Sequence, residues 1–222
     1  MTDWDEHLAR EAGRYDDGEA RLPDDPDARQ RQLTRLGNAA GGAGLALLMD
    51  GRPEEASEWF HRAADRYYES IAGAPPGSWG RPIGVMKALV LAGDWLHAED
   101  GARWALELGA AESESLIGRY AAALALLILG RDHDAVIHAD AIRTSDEFPH
   151  DVGDALAFIA AQDVIGYTYA VESVLDSFET REEYLEDMPV ADTVLVLQAL
   201  AARRGIAVEL SSSLLPATSA GA

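Results

Sequence analysis

Residues 130–140, GRDHDAVIHAD, gather His133, His138, Asp132, Asp134 and Asp140 into eleven positions. Imidazole and carboxylate groups at short spacing are the ligands of a transition metal and the acid and base of hydrolysis. Helical geometry tests that chemistry. His133 and His138 are five residues apart, which turns them about 140° from one another at 100° per residue, so their rings diverge. The helical zinc motif instead places two histidines four apart with a glutamate between them. Asp134 and His138 are four apart and share a helix face. The stretch therefore predicts a solvated turn at His133 and a partly exposed histidine beside an aspartate at His138, with a metal there needing ligands from elsewhere. His7, His61, His97 and His150 are scattered without ligand spacing. Neither a metal nor a cofactor is expected.

Other chemical signals are weaker. The sequence has no G-x-S-x-G, no phosphate-binding loop and no dinucleotide fingerprint. NAAGGAG (38–44) is rich in glycine but sits inside a helical pattern with no preceding strand, so close helix packing is expected. Carboxylate pairs such as Glu54/Glu55 and Glu182/Glu183 are what an acidic surface produces by chance. There is no cysteine, which excludes disulfides, thiolate zinc sites and cysteine nucleophiles.

Composition bounds the rest. The 222 residues are 48% hydrophobic, enough for one large domain with its own core. Acids outnumber bases 39 to 18, a formal net charge of −21, and Lys87 is the only lysine. An acidic, lysine-poor surface stays hydrated in concentrated salt, which screens its self-repulsion. It suits a halophile's cytoplasm and argues against nucleic acid, which requires a basic patch. A melting temperature that rises between about 0.1 and about 3 M KCl is the expected result. A flat or falling curve would remove the halophilic reading. MTDWDEHLAR has no apolar core for a signal peptide, and YAAALALLILG (120–130) is shorter than the roughly 20 residues of a membrane span. A cytoplasmic protein without membrane contact is expected.

The elements that must position any site are helical. Apolar residues recur at spacings of three and four, and only GIAVEL (205–210) alternates like a strand. Breakers at 21–27, 50–53, 73–82, 91–94, 129–132, 147–151 and 187–192 divide the chain, with Asp27, Ser78, Asp94 and Asp132 placed as N-caps. Aligning Gly51, Gly93 and Gly130 reveals a repeat. Five residues on stand Ala56, Ala98 and Ala135; nine on, Phe60, Ala102 and Ala139; twelve on, Ala63, Ala105 and Ile142. Leu47, Leu89 and Leu126 lie four residues before the glycines, and Leu48, Val90 and Leu127 three before. Glycine ends one helix and small residues let the next lie against it, so each unit is a helical hairpin.

GRPEEASEWFHRAADRY (51–67), with Gly44 seven residues before its turn glycine, resembles a tetratricopeptide repeat. The likeness extends over about residues 34–145, although Met86 and Ala123 stand in the slot of Gly44 in the later units, which also lack the aromatic. It implies stacked hairpins with a curved surface that holds a peptide or protein. Residues 150–178 read as a degraded fourth hairpin and 190–204 as a closing helix. The whole is expected to be all-α: about ten helices in stacked antiparallel hairpins, one compact domain over 1–216 and a flexible tail at 217–222.

In such a stack the first helix of each hairpin lines the inner face. Those positions include Asn38, Gly41 and Leu45 in the first unit, Ile83, Lys87 and Leu91 in the second, and Tyr120, Leu124 and Leu127 in the third. So apolar a face needs cover. Residues 150–215, which carry apolar faces of their own, are favoured for it over a partner. MPVADTVLVLQALAARRGIAVELSSSLLP (188–216) resembles the close of an all-helical immunity family, numbered forty-nine, of bacterial polymorphic toxin systems, and GSWGRPIGVMKALVLAG (77–93) resembles an internal helix of it. That likeness implies a non-enzymatic antidote bound to a toxin and transfers no contact residues. The expectation is thus a non-catalytic protein-interaction module with a protein or peptide partner. Lys87, Arg119, Tyr120 and His138 are its candidate contacts, being polar residues on apolar helices. The competing expectation is an enzyme whose site these same residues assemble across hairpins. Homo-oligomerisation is left open.

Overall fold

The computed structural model describes residues 3–217. Ten helices follow in order: α1 (Trp4–Glu19), α2 (Pro26–Met49), α3 (Pro53–Ser70), α4 (Gly80–Leu91), α5 (Trp95–Glu107), α6 (Leu116–Ile128), α7 (Asp132–Arg143), α8 (His150–Ala161), α9 (Val164–Glu179) and α10 (Asp192–Ala202). Each of the first nine packs against the next, so the chain advances as hairpins, and α10 returns to lie against α4, α8 and α9. The result is an all-α single domain with no strand among the described residues. No helix among them is long and apolar enough to cross a membrane. The tail expected at 217–222 falls, beyond Ala217, outside the described residues.

The three aligned glycines end α2, α4 and α6 in the same way. Gly51, Gly93 and Gly130 have φ of +77°, +72° and +69°, a region open to glycine without a Cβ clash. In each turn the glycine amide donates to Leu48, Val90 or Leu127, and the following amide donates to Leu47, Leu89 or Leu126 at 2.9, 3.0 and 2.8 Å. These are Schellman closures, and they use the carbonyls of the apolar residues aligned before each glycine. Past the turns, Ala56, Ala98, Ala135, Ala102, Ala139, Ala63, Ala105 and Ile142 are all completely buried.

That burial sets an expected result. Ala56→Leu, Ala98→Leu and Ala135→Leu should each cost about 1–3 kcal/mol, the usual range for overpacking a filled core. The same change at Ala28 or at exposed Ala217 should cost about 0.5 kcal/mol or less. Denaturant melts in fixed high salt measure it. Repeat positions that accept leucine as easily as the controls would mean that these helices do not touch there.

The glycine-rich stretch of α2 packs closely, as expected. A Cβ on Gly44 would stand 2.7 Å from the Phe60 ring, one on Gly37 2.7 Å from Tyr67, and one on Gly42 3.0 Å from Glu11. Gly41 differs: nothing lies within 4 Å, because it faces the cleft described below.

Local details depart from the sequence expectations. Asp25, not Asp27, caps α2, accepting from the Ala28 amide at 2.8 Å, while Asp27 pairs with Arg31 in the first turn. Ser78 donates to the Pro75 carbonyl and does not cap α4. Asp94 caps α5 as expected. Asp132 begins α7 and is held by Arg204. Residues 205–210 form no strand, since no second strand is available to pair with them. The Gln198 side chain serves the backbone of Val208 instead, donating to its carbonyl and accepting from its amide.

Candidate functional site

The opening stretch divides once folded. His133 is exposed. His138 is buried, against the expectation of partial exposure, because α7 turns it in beside Ala139 and Ile142. Its Nδ1 has no hydrogen-bond partner among the described residues, and Asp134 is taken by Arg131. Burial, and then the Arg119 charge, push the His138 pKa below its ordinary 6.5. No three His, Cys, Asp or Glu side chains among the described residues are grouped so as to hold a metal ion.

His61 moves the other way. Its Nε2 lies 2.9 Å from an Asp94 carboxylate oxygen and its Nδ1 2.8 Å from the Ser57 carbonyl. The Asp94 bond raises the His61 pKa above 6.5 despite burial, and Asp94 falls to about 2. A raised histidine contributes stability that is present below its unfolded pKa and lost as pH rises through the folded value. A depressed one contributes stability that is present above the unfolded pKa and lost as pH falls below it. His61→Gln should therefore cost more stability at about pH 5 than at about pH 8, and His138→Gln should flatten the loss seen on going down to about pH 5. Melts at both pH values measure this, and losses equal at the two would contradict the assignment.

The inner face is covered by the protein's own C-terminal third. Residues 181–191 cross it in extended and turned conformation, with a single 3-10 turn (Leu185–Asp187). Met188 and Val190 are buried with Ala46 and pack on Trp4, Leu8, Leu45 and Met49. Glu186 anchors the crossing. Its carboxylate accepts from Asn38 Nδ2 at 3.0 Å and pairs with Arg14, and its carbonyl accepts from Arg10 at 2.8 Å. Glu186 and Asp187 hold φ of 55° and 52°, a left-handed backbone that costs a non-glycine residue on the order of 1 kcal/mol or more. These contacts hold that conformation in place.

Between this segment and the hairpins a cleft of about 400 Å³ remains. Asn38, Gly41 and Leu45 of α2, Lys87 of α4 and Tyr120 of α6 form its floor. They belong to the inner-face set, brought together because α2, α4 and α6 are successive first helices. Phe148, Val152, Phe178, Arg181, Tyr184 and Leu185 form the remaining wall. A second hollow of about 300 Å³ adjoins it past Lys87, Leu185 and Asp192.

The polar groups in the cleft are few and specific. Lys87 Nζ donates to Asp192 Oδ2 at 2.5 Å and to Thr193 Oγ1 at 3.2 Å. Burial is the largest single influence and disfavours the ammonium, but the Asp192 charge, Tyr120 and the hydrogen bond to Asp192 together outweigh it, and the Lys87 pKa stands above its ordinary 10.5. Tyr120 is buried, its ring against Phe148 at 5.5 Å, and its hydroxyl has no hydrogen-bond partner among the described residues. Burial raises its pKa above 10.0; Lys87 and Asp192 are near enough to act on it with opposite signs. Arg181 stands exposed at the mouth, 3.8 Å over the Phe178 ring and 3.3 Å from Ser177 Oγ. It pairs with no carboxylate among the described residues. Comparison of the chain with protein-family models, with curated proteins and with solved structures gives no match.

Of the four residues singled out in the sequence, the fold unites Lys87 with Tyr120 in the cleft and puts Arg119 near His138, where its charge acts on that ring. Asp192, Glu186 and Arg181 were missed. They lie in or beside an irregular stretch with no periodicity, and the partners of Asp192 and Glu186 are far away in the chain.

A second surface lies at the end of the stack. On α9, Val164, Ile165 and Tyr169 are exposed, the last two by 72% and 73%. Tyr169 borders a groove between α8 and α9 that is also lined by Asp151, Asp154, Phe158 and Gly166.

Proposed function

We propose that the chain is a non-catalytic interaction protein, a stack of tetratricopeptide-like hairpins whose α8–α9 end receives an apolar, basic-flanked segment of another protein. The observation that carries this reading is the exposed Ile165–Tyr169 pair. Inner hairpins bury their apolar edges against the next unit, and among the described residues α9 has no next unit on this side. Two large apolar side chains four residues apart on one helix face, in a chain of net charge −21, are the surface a partner helix would cover. Asp154 beside them is paired with Arg143, and Asp151 favours a basic residue on the partner.

The enzyme reading draws on Lys87 and Tyr120 sharing the cleft. At neutral pH a lysine held above 10.5 remains an ammonium, and a tyrosine held above 10.0 remains a phenol. In those forms each is a hydrogen-bond donor, and neither serves as a nucleophile or a general base. The antidote reading is a narrower form of the interaction function, resting on the resemblance of residues 188–216 and on a cytoplasmic setting. Co-expression with a toxin encoded beside this chain would support it by restoring growth.

The test compares wild-type protein with Ile165→Asp/Tyr169→Asp as bait in high salt. Both positions are exposed, so the variant should fold. A protein retained by wild type and lost by the variant supports the reading. Equal retention by both, or retention by neither, counts against it.

A further inference from the structure

We propose that the cleft between α2, α4, α6 and the 181–193 segment binds a small organic monoanion, a carboxylate on a compact apolar or aromatic body. The site is separate from the α8–α9 surface and stands or falls without it.

Size and lining come first. A hollow of about 400 Å³ falls in the range of small-molecule sites, roughly 300–1,000 Å³, which are mostly apolar with a few convergent polar groups. Leu45, Phe148, Val152 and Phe178 supply the apolar wall. The Tyr120 hydroxyl supplies an uncommitted donor on a buried side chain. Lys87 uses two of its three ammonium hydrogens on Asp192 and Thr193, leaving one.

Charge then selects the ligand. Lys87 and Asp192 neutralise each other, and Glu186 is matched by Arg14. The Arg181 charge alone is left over among these groups. A chain with 39 acids has ample carboxylates to answer it, yet none among the described residues does. A guanidinium at the mouth, with a phenol and an ammonium hydrogen within, is the donor set for a carboxylate. A neutral guest would leave the Arg181 charge to water alone. A dianion would exceed the single positive charge in excess and would face Asp192.

Calorimetric titration of the intact protein with phenylacetate and hexanoate, against the uncharged 2-phenylethanol and hexanol, tests this at constant KCl concentration. The acids should bind saturably at one site, about tenfold or more tighter than the matching alcohols. Arg181→Gln, an exposed position where folding is not at stake, should remove most of that preference. Tyr120→Phe should weaken the acids severalfold. Arg62→Gln removes the same charge from the exposed surface of α3 and should change nothing. Absence of saturable acid binding up to about 10 mM, equal affinity for acids and alcohols, or undiminished acid binding by Arg181→Gln would each overturn the proposal.

Discussion

Phe60→Ala is expected to destabilise the protein by about 3–5 kcal/mol, the range for truncating a buried aromatic side chain. Phe60 is 1% exposed, and its ring lies directly on the α2 backbone at Gly44, where a Cβ would come within 2.7 Å. Loss of the ring removes its burial and enlarges the hollow of about 300 Å³ that it already lines. Closing that void would require α3 to move toward α2, but Ala56 and Ala63, one turn to either side, are already completely buried. The cavity should therefore persist, and its cost adds to the lost transfer free energy. Urea melts in fixed KCl would measure the effect. A loss below about 1 kcal/mol would mean that the first hairpin does not close on Phe60 as described.

Arg204→Ala is expected to cost about 3 kcal/mol, as when one member of a largely buried ion pair is removed. The Arg204 side chain is 8% exposed and holds both Asp132 oxygens, while also donating to the Leu127 carbonyl at 2.8 Å and the Leu200 carbonyl at 3.0 Å. It ties the turn after α6 to the closing helix α10. Alanine would strand Asp132, which is 25% exposed, together with a helix-terminal carbonyl. Arg204→Lys should recover less than half of the loss, because an ammonium lacks the planar fork that serves carboxylate and carbonyls at once. Arg204→Met combined with Asp132→Asn should recover more than Arg204→Met alone, since no unpaired charge remains. A loss under about 0.5 kcal/mol for Arg204→Ala would place the pair among ordinary surface ion pairs.

This pair also resolves the chemistry suggested by GRDHDAVIHAD. Asp132 is a structural anchor, Asp134 pairs with Arg131, His133 faces solvent and His138 is a buried histidine. The five-residue spacing already showed that the two rings diverge. It could not show that His138 turns inward, because burial on a short helix depends on which face the neighbouring α6 and α8 cover.

Helix number, the three hairpins, the fourth hairpin at 150–178 and the closing helix were all legible in the chain. Periodicity, capping glycines and small residues act within a few positions, and a Schellman turn is determined by the residues that build it. Asn38, Gly41, Leu45, Lys87 and Tyr120 were legible as inner-face positions for the same reason, since a repeat fixes which face each first helix presents. What only the tertiary structure decided was the closure of that face. Glu186 meets Asn38 across 148 positions and Lys87 meets Asp192 across 105. Such pairs follow from how far α10 folds back over the stack, and no local pattern encodes that distance. The missing strand at 205–210 has the same origin: alternation specifies a strand only where another strand is present to pair with it, and here the fold supplied the Gln198 side chain.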